Sequence, residues 1–156
     1  MENLGVIVDV SHLSDAGFYD VLKYSNKPFV ASHSNSRKIT NVVRNLTDDM
    51  IRKLADKGGL TGINFCSDFI KTTSHTGNTF TYVDDIVKHI KYIRNVGGLD
   101  VIALGTDFDG IPSTLEIKDA SQIQILADGL LKNGFSYDEV EKIFYKNLMN
   151  LYKELL

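Results

Sequence analysis

The sequence has few of the features that mark secreted, membrane-spanning or nucleic-acid-binding proteins. It contains one cysteine, Cys66, which excludes an internal disulfide and predicts a reducing compartment, the cytoplasm. No segment approaches the roughly 20 apolar residues of a membrane-spanning helix. Residues 1–4 lack the basic and apolar parts of a signal peptide. The net charge of −3 provides no basic surface, so we expect neither a nucleic acid nor a membrane as partner.

What the sequence does have is a regular alternation of strand-like and helix-like segments. Its 156 residues, of which 43% are hydrophobic, suit one domain with a buried core. Short branched apolar runs predict four buried strands at residues 5–10, 28–31, 60–64 and 101–104. Helices are expected after the capping residues Ser14 and Thr47, over residues 83–97 and 119–132, and after the capping box of residues 136–139.

These strand–helix units predict an α/β fold. Right-handed crossovers would make the strands parallel and set them side by side in chain order. Four such units are half of a (β/α)8 barrel, or one small open sheet. An open parallel sheet leaves two edge strands unpaired, and strands as apolar as these make poor free edges. We therefore expect a partial domain, or a chain that needs a partner.

Polar residues directly follow the predicted strands, at the edge where α/β folds carry their functional groups. His12 follows the first strand and His33 the second, each beside serines. If these strands are neighbours, about 4.8 Å apart, the two imidazoles lie near a common metal ion such as zinc. For either histidine alone, a hydrogen bond to a loop is the simpler interpretation. Two histidines in equivalent positions favour a metal site.

Asp107 and Arg44 are further candidates for the same edge. Asp107 comes straight after the fourth strand, where it can ligate a metal or act as a general base toward water. Arg44 is suited to bind a substrate carboxylate through paired hydrogen bonds, and an ordinary exposed arginine is the alternative. Asp109, in an Asp-Gly pair, predicts a turn. His89, which flanks the apolar stripe of a helix, is interpreted as a packing residue.

Six segments carry a resemblance to a known family: Val-Asp-Val-Ser-His at 8–12, Ala-Ser-His-Ser-Asn at 31–35, Arg-Asn-Leu-Thr-Asp-Asp at 44–49, Gly-Ile-Asn-Phe at 62–65, Gly-Thr-Asp-Phe-Asp-Gly at 105–110 and Asn-Leu at 147–148. Together they resemble the renal (membrane) dipeptidase family of zinc metallopeptidases. The first two segments look like the motifs of that family's fifth and sixth strands. The likeness covers nearly the whole chain.

The resemblance implies a metallodipeptidase, a hydrolase that cleaves dipeptides at a two-zinc site in a (β/α)8 barrel. By resemblance, His12 and His33 are ligands of one zinc. Asp107 contacts the other zinc and the hydroxide between them, and it takes the catalytic role. Arg44 binds the C-terminal carboxylate of the dipeptide substrate. The family often tolerates a D-residue at the C-terminal side, and some members open β-lactams.

The remaining ligands of the family site have no counterpart in this sequence. They are a His-x-Asp pair, a bridging glutamate and another histidine, all from the earlier half of the barrel. Residues 1–156 are therefore expected to form one partial domain, the C-terminal half-barrel, with at most one weakly held zinc. Two interpretations stay open. One is a dipeptidase completed by a missing N-terminal half or by a homodimer. The other is a catalytically inactive truncated half-barrel, at most a weak metal-binding module.

Overall fold

Parallel strands form the centre of this protein, whose structure is a computed structural model describing residues 2–71, 80–111 and 114–155. In chain order the strands are β1 (Val30–Ala31), β2 (Leu60–Ile63), β3 (Phe80–Thr81), β4 (Ile102–Leu104) and β5 (Thr114–Leu115). The main sheet has the order β1-β2-β4, and both pairings are parallel. The predicted α/β class and the predicted order of the strands are therefore confirmed.

Helices lie before, between and after the strands of the main sheet. They are α1 (Asp15–Tyr24), α2 (Asp48–Asp56), α3 (Ser67–Ile70), α4 (Val83–Gly97), α5 (Gln124–Lys132), α6 (Tyr137–Glu141) and α7 (Asn147–Leu155). Short 3-10 turns cover Glu2–Leu4 and Ala120–Gln122, and a π-helical stretch, Lys142–Lys146, joins α6 to α7. Among the helices of the described residues, none combines the length and the apolar character needed to cross a lipid bilayer.

The helix starts predicted at Ser14, Thr47 and Ser136 are confirmed by their capping hydrogen bonds. The side chain of Ser14 accepts from the Gly17 amide, and that of Thr47 accepts from the Met50 amide. The capping box at Ser136 is complete, because its hydroxyl and backbone exchange hydrogen bonds with residue 139. These interactions satisfy amide groups that the first turn of a helix leaves without a partner.

The first predicted strand, residues 5–10, is the clearest departure from expectation. It is reduced to a single parallel bridge between Asp9 and Val30. Val30 N donates to Val8 O at 2.9 Å, and Val10 N donates to Val30 O at 2.8 Å. The pairing partner, the direction and the position at the edge of the sheet are thus as predicted, but the pairing is a single bridge rather than a strand over residues 5–10. Gly5, at φ 69°, also turns the backbone out of the extended region.

The other differences concern elements too short or too irregular for periodicity to reveal. β3 and β5 form a separate two-residue parallel pair that the sequence does not signal. The helix predicted over 119–132 begins instead as a 3-10 turn, with α5 starting at Gln124. The last predicted helix is interrupted by the π-helical stretch.

The two faces of the main sheet are packed differently. On the helix-covered face, Phe29, Ile63 and Ile102 are 0% exposed and lie in the large core beneath the helices. On the opposite face, which we call the α7 face, Leu60 and Ala103 pack against Leu151 and Leu155 of α7. An apolar cleft of about 250 Å³ remains on the α7 face, bordered by Ile7, Val30, Leu104, Leu148 and Tyr152 among others.

The outer edge of β4 is partly covered by the start of α7. Backbone groups of Val101 and Gly105 bond to β2, so those of Ile102 face away from it. The side-chain amide of Asn147 donates to Ile102 O at 2.8 Å and to Leu99 O at 3.0 Å. This edge is therefore less open than the sequence predicted, since a buried asparagine takes the place of a neighbouring strand.

Candidate functional site

The two candidate histidines meet at the carboxyl ends of neighbouring strands. His12 comes just after the segment that pairs with β1, and His33 comes just after β1 itself. Their Nε2 atoms are 2.9 Å apart, and their ring centroids are 4.9 Å apart. Two nitrogens bound to one zinc at about 2.0–2.1 Å lie about 3 Å from each other, so the pair has a spacing suited to a shared cation.

His33 is held by hydrogen bonds from both strand ends. Its backbone N–H donates to the Ser11 hydroxyl at 2.9 Å, and its Nδ1 lies 2.7 Å from Ser32 Oγ. The Ser32 hydroxyl lies in turn 2.5 Å from the Asp9 carboxylate. The backbone amides of Ser11 and Ser32 donate to the same carboxylate at 3.1 and 2.9 Å. These contacts form a continuous connection from Asp9 to the imidazole of His33.

The surroundings shift the pKa values of both ends of this connection. Partial desolvation opposes ionisation of Asp9, but the hydrogen bonds from Ser32 and Ser11 outweigh it and lower its pKa. Burial lowers the pKa of His33. The Asp107 carboxylate acts in the opposite direction, and the charge of Arg44 adds to the lowering. His33 is thus favoured in the neutral form that metal binding requires.

Arg44 lies beside the histidine pair, as the sequence predicted for a rim residue. Its Nη2 is 3.4 Å from His12 Nε2, and its guanidinium carbon lies 5.4 Å from the centre of the Phe69 ring. Among the described residues, its Nη1 is buried without a hydrogen-bond partner. An unpaired buried donor on a cation is costly unless a bound anion satisfies it, so Arg44 has the environment of a ligand-binding group.

Asp107 reaches the same rim through an uncommon backbone conformation. Its φ is 61°, in the left-handed region that aspartate tolerates better than most residues. Gly110 N donates to Asp107 O at 3.0 Å and closes a turn that contains Asp109, as predicted. A Cβ at Gly110 would lie 2.2 Å from Asp107 Oδ1, so any other side chain there would displace the carboxylate from this position. Asn64 Nδ2 donates to Asp107 Oδ2 at 3.2 Å.

Buried amide side chains beneath the rim were missed by the sequence analysis. Asn35 Nδ2 donates to Asn64 O at 2.9 Å, and Asn64 N donates to Asn35 Oδ1 at 3.0 Å. Asn45 Nδ2 donates to Thr40 O at 3.0 Å and to Phe69 O at 2.8 Å. These asparagines join the loop that carries Arg44 to the strand end that orients Asp107. In the sequence, the only indication of their importance was that they lie beside the candidate rim residues.

His89 is fully buried on α4, as expected of a packing residue, but it also fixes the loops beneath the rim. Its Nδ1 accepts from Ser36 N at 3.1 Å, and its Nε2 lies 2.8 Å from Ile70 O and therefore carries the hydrogen. Burial lowers its pKa to about 4, against which the bond to Ile70 O and the charge of Asp85 act. His89 is therefore neutral at physiological pH.

The donor set fits part of a metal site. His12 and His33 offer two imidazole nitrogens at a suitable separation, whereas catalytic zinc sites usually have three protein ligands and an open position. In residues 2–71, 80–111 and 114–155, no group of three or more His, Cys, Asp or Glu side chains lies close enough to hold a metal ion. The described residues therefore supply an incomplete ligand set.

Comparisons with known proteins identify relatives of this chain. A family model for the membrane dipeptidases, peptidase family M19, matches residues 1–155. An uncharacterized protein from the pqqA 5′ region of Klebsiella pneumoniae is 34% identical over 95% of the chain, which covers 54% of that protein. The dipeptidase ataJ of Aspergillus terreus is 34% identical over 97% of the chain, which covers 36% of ataJ. The chain thus spans about half, or less, of the length of these relatives.

A solved structure agrees with the sequence relatives. A metallopeptidase from Rhodobacter sphaeroides, bound to a phosphinate mimic of the dipeptide L-Ala-D-Ala, superposes with a TM-score of 0.89 at 27% identity. The match covers 99% of this chain and 44% of that one. The fold described above is therefore shared with part of a larger metallopeptidase.

Proposed function

Because this chain belongs to the membrane dipeptidase family, peptidase family M19, we propose that its rim takes part in zinc-dependent hydrolysis of dipeptides. The observation that carries the proposal is the convergence of the two Nε2 atoms, 2.9 Å apart, with Arg44 beside them. Metal ligands and an unsatisfied buried cation at one rim are what a metallopeptidase needs to bind a small anionic peptide.

Each rim residue has a role in this proposal. His12 and His33 would ligate one zinc, and Asp107, which forms no group of three such side chains among the described residues, would contact a second. Zinc, when bound, supplies a Lewis acid that polarises the peptide carbonyl and makes water a stronger nucleophile at neutral pH. Asp107 also acts as general base and accepts a proton from the attacking water, while Asn64 holds its other carboxylate oxygen. Arg44 binds the C-terminal carboxylate of the dipeptide with its unpaired Nη1.

We further propose that this chain is the C-terminal half of a (β/α)8 barrel, whose other half completes the ligand set. Two observations support it. The main sheet has its parallel strands in chain order, and the matched relatives are longer than this chain. The remaining ligands then come from an N-terminal half or from a second copy of the chain. The inactive alternative has no observation of its own in its favour.

The proposed association uses the α7 face and the edge at residues 7–9. In the part of the chain that the structure describes, this edge pairs with no strand other than β1. The apolar cleft of the α7 face adjoins it, so a partner that extends the sheet would also bury the side chains of Ile7 and Val30. The covered edge at Ile102 favours the residue 7–9 edge as the first point of contact.

The proposal is tested by assaying Ala-D-Ala hydrolysis with added zinc. The 156-residue chain alone should give turnover near background, because its ligand set is incomplete. Co-expression with the N-terminal half of the Rhodobacter sphaeroides metallopeptidase should raise turnover, and His33→Ala or Asp107→Asn should abolish the gain. Asp119→Asn, remote from the rim, should leave it unchanged. A folded, associated pair without zinc-dependent turnover would count against the proposal, as would turnover that survives both rim variants.

A further inference from the structure

We propose that Asp9 and Ser32 are positioning residues that fix His33 in the tautomer whose Nε2 is free of hydrogen and turned toward His12. This inference rests on the proposed function in one respect, because it takes Nε2 of His33 as the metal-binding atom. The tautomer itself is a property of this chain without any metal, and it can be measured as such.

The Asp9 carboxylate determines where the single proton of the Ser32 hydroxyl points. Asp9 Oδ1 accepts from the backbone amides of Ser11 and Ser32 at 3.1 and 2.9 Å. Asp9 Oδ2 lies 2.5 Å from Ser32 Oγ. An ionised carboxylate has no hydrogen to give, so the hydroxyl proton of Ser32 is donated to Asp9.

The Ser32 hydroxyl in turn determines which ring nitrogen of His33 carries the hydrogen. Ser32 Oγ lies 2.7 Å from His33 Nδ1. Because the hydroxyl has already given its only proton to Asp9, the hydrogen in this second contact comes from Nδ1. A neutral imidazole carries one N–H, so Nε2 is left with its lone pair exposed. That is the nitrogen 2.9 Å from His12 Nε2.

The backbone that carries Ser32 is packed closely against neighbouring strand ends. The Ser32 carbonyl lies so close to two glycines that a Cβ on Gly62 or Gly105 would come within 2.0 or 1.9 Å of it. His33 N donates to the Ser11 hydroxyl at 2.9 Å, which fixes the backbone on the other side. The hydroxyl of Ser32 is therefore presented to His33 from a backbone packed against neighbouring strand ends, and the ring has one preferred orientation.

Two other histidines serve as internal references. His89 has the opposite arrangement, because its Nδ1 accepts from Ser36 N and its Nε2–H donates to Ile70 O. Among the described residues, the side-chain contacts of His12 are with His33 and Arg44, and no carboxylate orients its ring. One spectrum should thus contain one Nδ1–H form, that of His33, and two Nε2–H forms, those of His89 and of His12, whose Nε2–H faces the hydrogen-free Nε2 of His33 at 2.9 Å.

The test is a long-range proton–nitrogen correlation spectrum of the metal-free, nitrogen-labelled chain above about pH 8, where imidazoles are neutral. We expect His33 as Nδ1–H and His89 as Nε2–H. In Asp9→Asn, the amide NH2 donates to Ser32 Oγ, and the hydroxyl proton passes to His33 Nδ1. His33 should then invert to Nε2–H. Ser32→Ala should give a mixture of tautomers, and Ser32→Thr, which keeps a hydroxyl, should restore the wild-type form.

Asp119→Asn is the matched control. Asp119 also accepts from a serine amide and hydroxyl, those of Ser121 at 2.9 and 2.5 Å, but lies outside the rim. It should leave the tautomers of His33 and His89 unchanged. His33 found as Nε2–H in the wild-type chain, or unchanged in Asp9→Asn, would overturn the inference. The wild-type spectrum tests it even if a variant fails to fold.

Measurements of zinc affinity distinguish a failure of this inference from a failure of the proposed function. Asp9→Asn should weaken zinc binding about 10- to 100-fold, as loss of an orienting partner does at metal sites, while Asp119→Asn should have no effect. Tautomers that behave as expected, together with zinc binding that survives His33→Ala, would contradict the proposed function and leave the positioning role intact. An inverted tautomer with unchanged zinc affinity would contradict the link between them.

Discussion

The helix-covered face of the main sheet and the rim at its carboxyl ends are built from different interactions. Phe29, Ile63 and Ile102 on that face are 0% exposed and are held by apolar packing. At the rim, His12 and Asp9 are exposed, and the side chains are held by hydrogen bonds between neighbouring strand ends. Stability and chemistry therefore reside in separate regions, so substitutions in each region should have separable effects.

Phe29→Ala should produce the largest effect and should act on stability alone. The Phe29 ring is 0% exposed and packs edge-to-face against Phe18 at 5.6 Å. Its removal should lower the free energy of unfolding by about 3–5 kcal/mol, measured by urea denaturation. Phe29→Leu should cost much less. A loss below about 1 kcal/mol for Phe29→Ala would mean that the core tolerates cavities. It would contradict the view that apolar packing on this face provides the stability of the chain.

His89 is buried in the core and hydrogen-bonds to the loops beneath the rim. Because it is buried in the neutral form, the free energy of unfolding should depend on pH. Its pKa is lowered from 6.5 to about 4 in the folded chain, so the unfolded chain takes up a proton first as the pH falls. The stabilisation is complete above about pH 6.5 and is lost as the pH falls toward 4, by up to about 3 kcal/mol.

Unfolding measured at a series of pH values, in the wild-type chain and in His89→Gln, isolates this contribution. The pKa of His33 is lowered as well, but that residue is present in both proteins and cancels in the comparison. The variant should have a shallower decline of stability between about pH 6.5 and 4. Parallel curves would contradict the assignment of the decline to His89.

Asn64→Ala should affect both regions by a moderate amount. Asn64 Oδ1 accepts from Cys66 N at 2.7 Å, and its Nδ2 donates to Asp107. Its removal takes away these two hydrogen bonds of partly or fully buried groups, at a cost of about 1–3 kcal/mol. It also releases the Asp107 carboxylate, so the turnover of the complemented enzyme should fall. A stability loss without any change in turnover would show that Asp107 needs no support from Asn64.

Gly110→Ala should be the mildest change in stability and the most local one at the rim. The new methyl group would lie 2.2 Å from Asp107 Oδ1 and force the carboxylate to rotate. Stability should change by about 0.5 kcal/mol or less, as for an exposed turn. The side-chain amide signal of Asn64 should shift as its hydrogen bond to Asp107 weakens, whereas Asp109→Ala should leave that signal in place.

The sequence predicted the rim better than it predicted the elements that support it. His12, His33 and Asp107 were expected at one edge from their positions after strands, and the structure brings the two histidines together with Arg44 of the following loop beside them. Their roles in binding metal and substrate stay predictions. The strand over residues 5–10 was overestimated, because apolar composition does not reveal where a run leaves the extended conformation, as this one does at Gly5.

The buried asparagines were missed for a related physical reason. Asn35 and Asn45 lie in a polar segment, and Asn64 ends a predicted strand, so the sequence alone does not show which groups their amides bind. Their partners, such as Thr40 O and Phe69 O for Asn45, are set by tertiary contacts far along the chain. A single sequence contains no period or spacing that pairs an amide with a distant carbonyl.

Calorimetric titration of zinc into the chelator-dialysed chain shows whether the paired histidines are half of a metal site. We expect weak binding of at most about one zinc per chain, abolished by His33→Ala and retained in His89→Gln. Two tightly bound zinc ions per chain, or an isotherm that His33→Ala leaves unchanged, would contradict it.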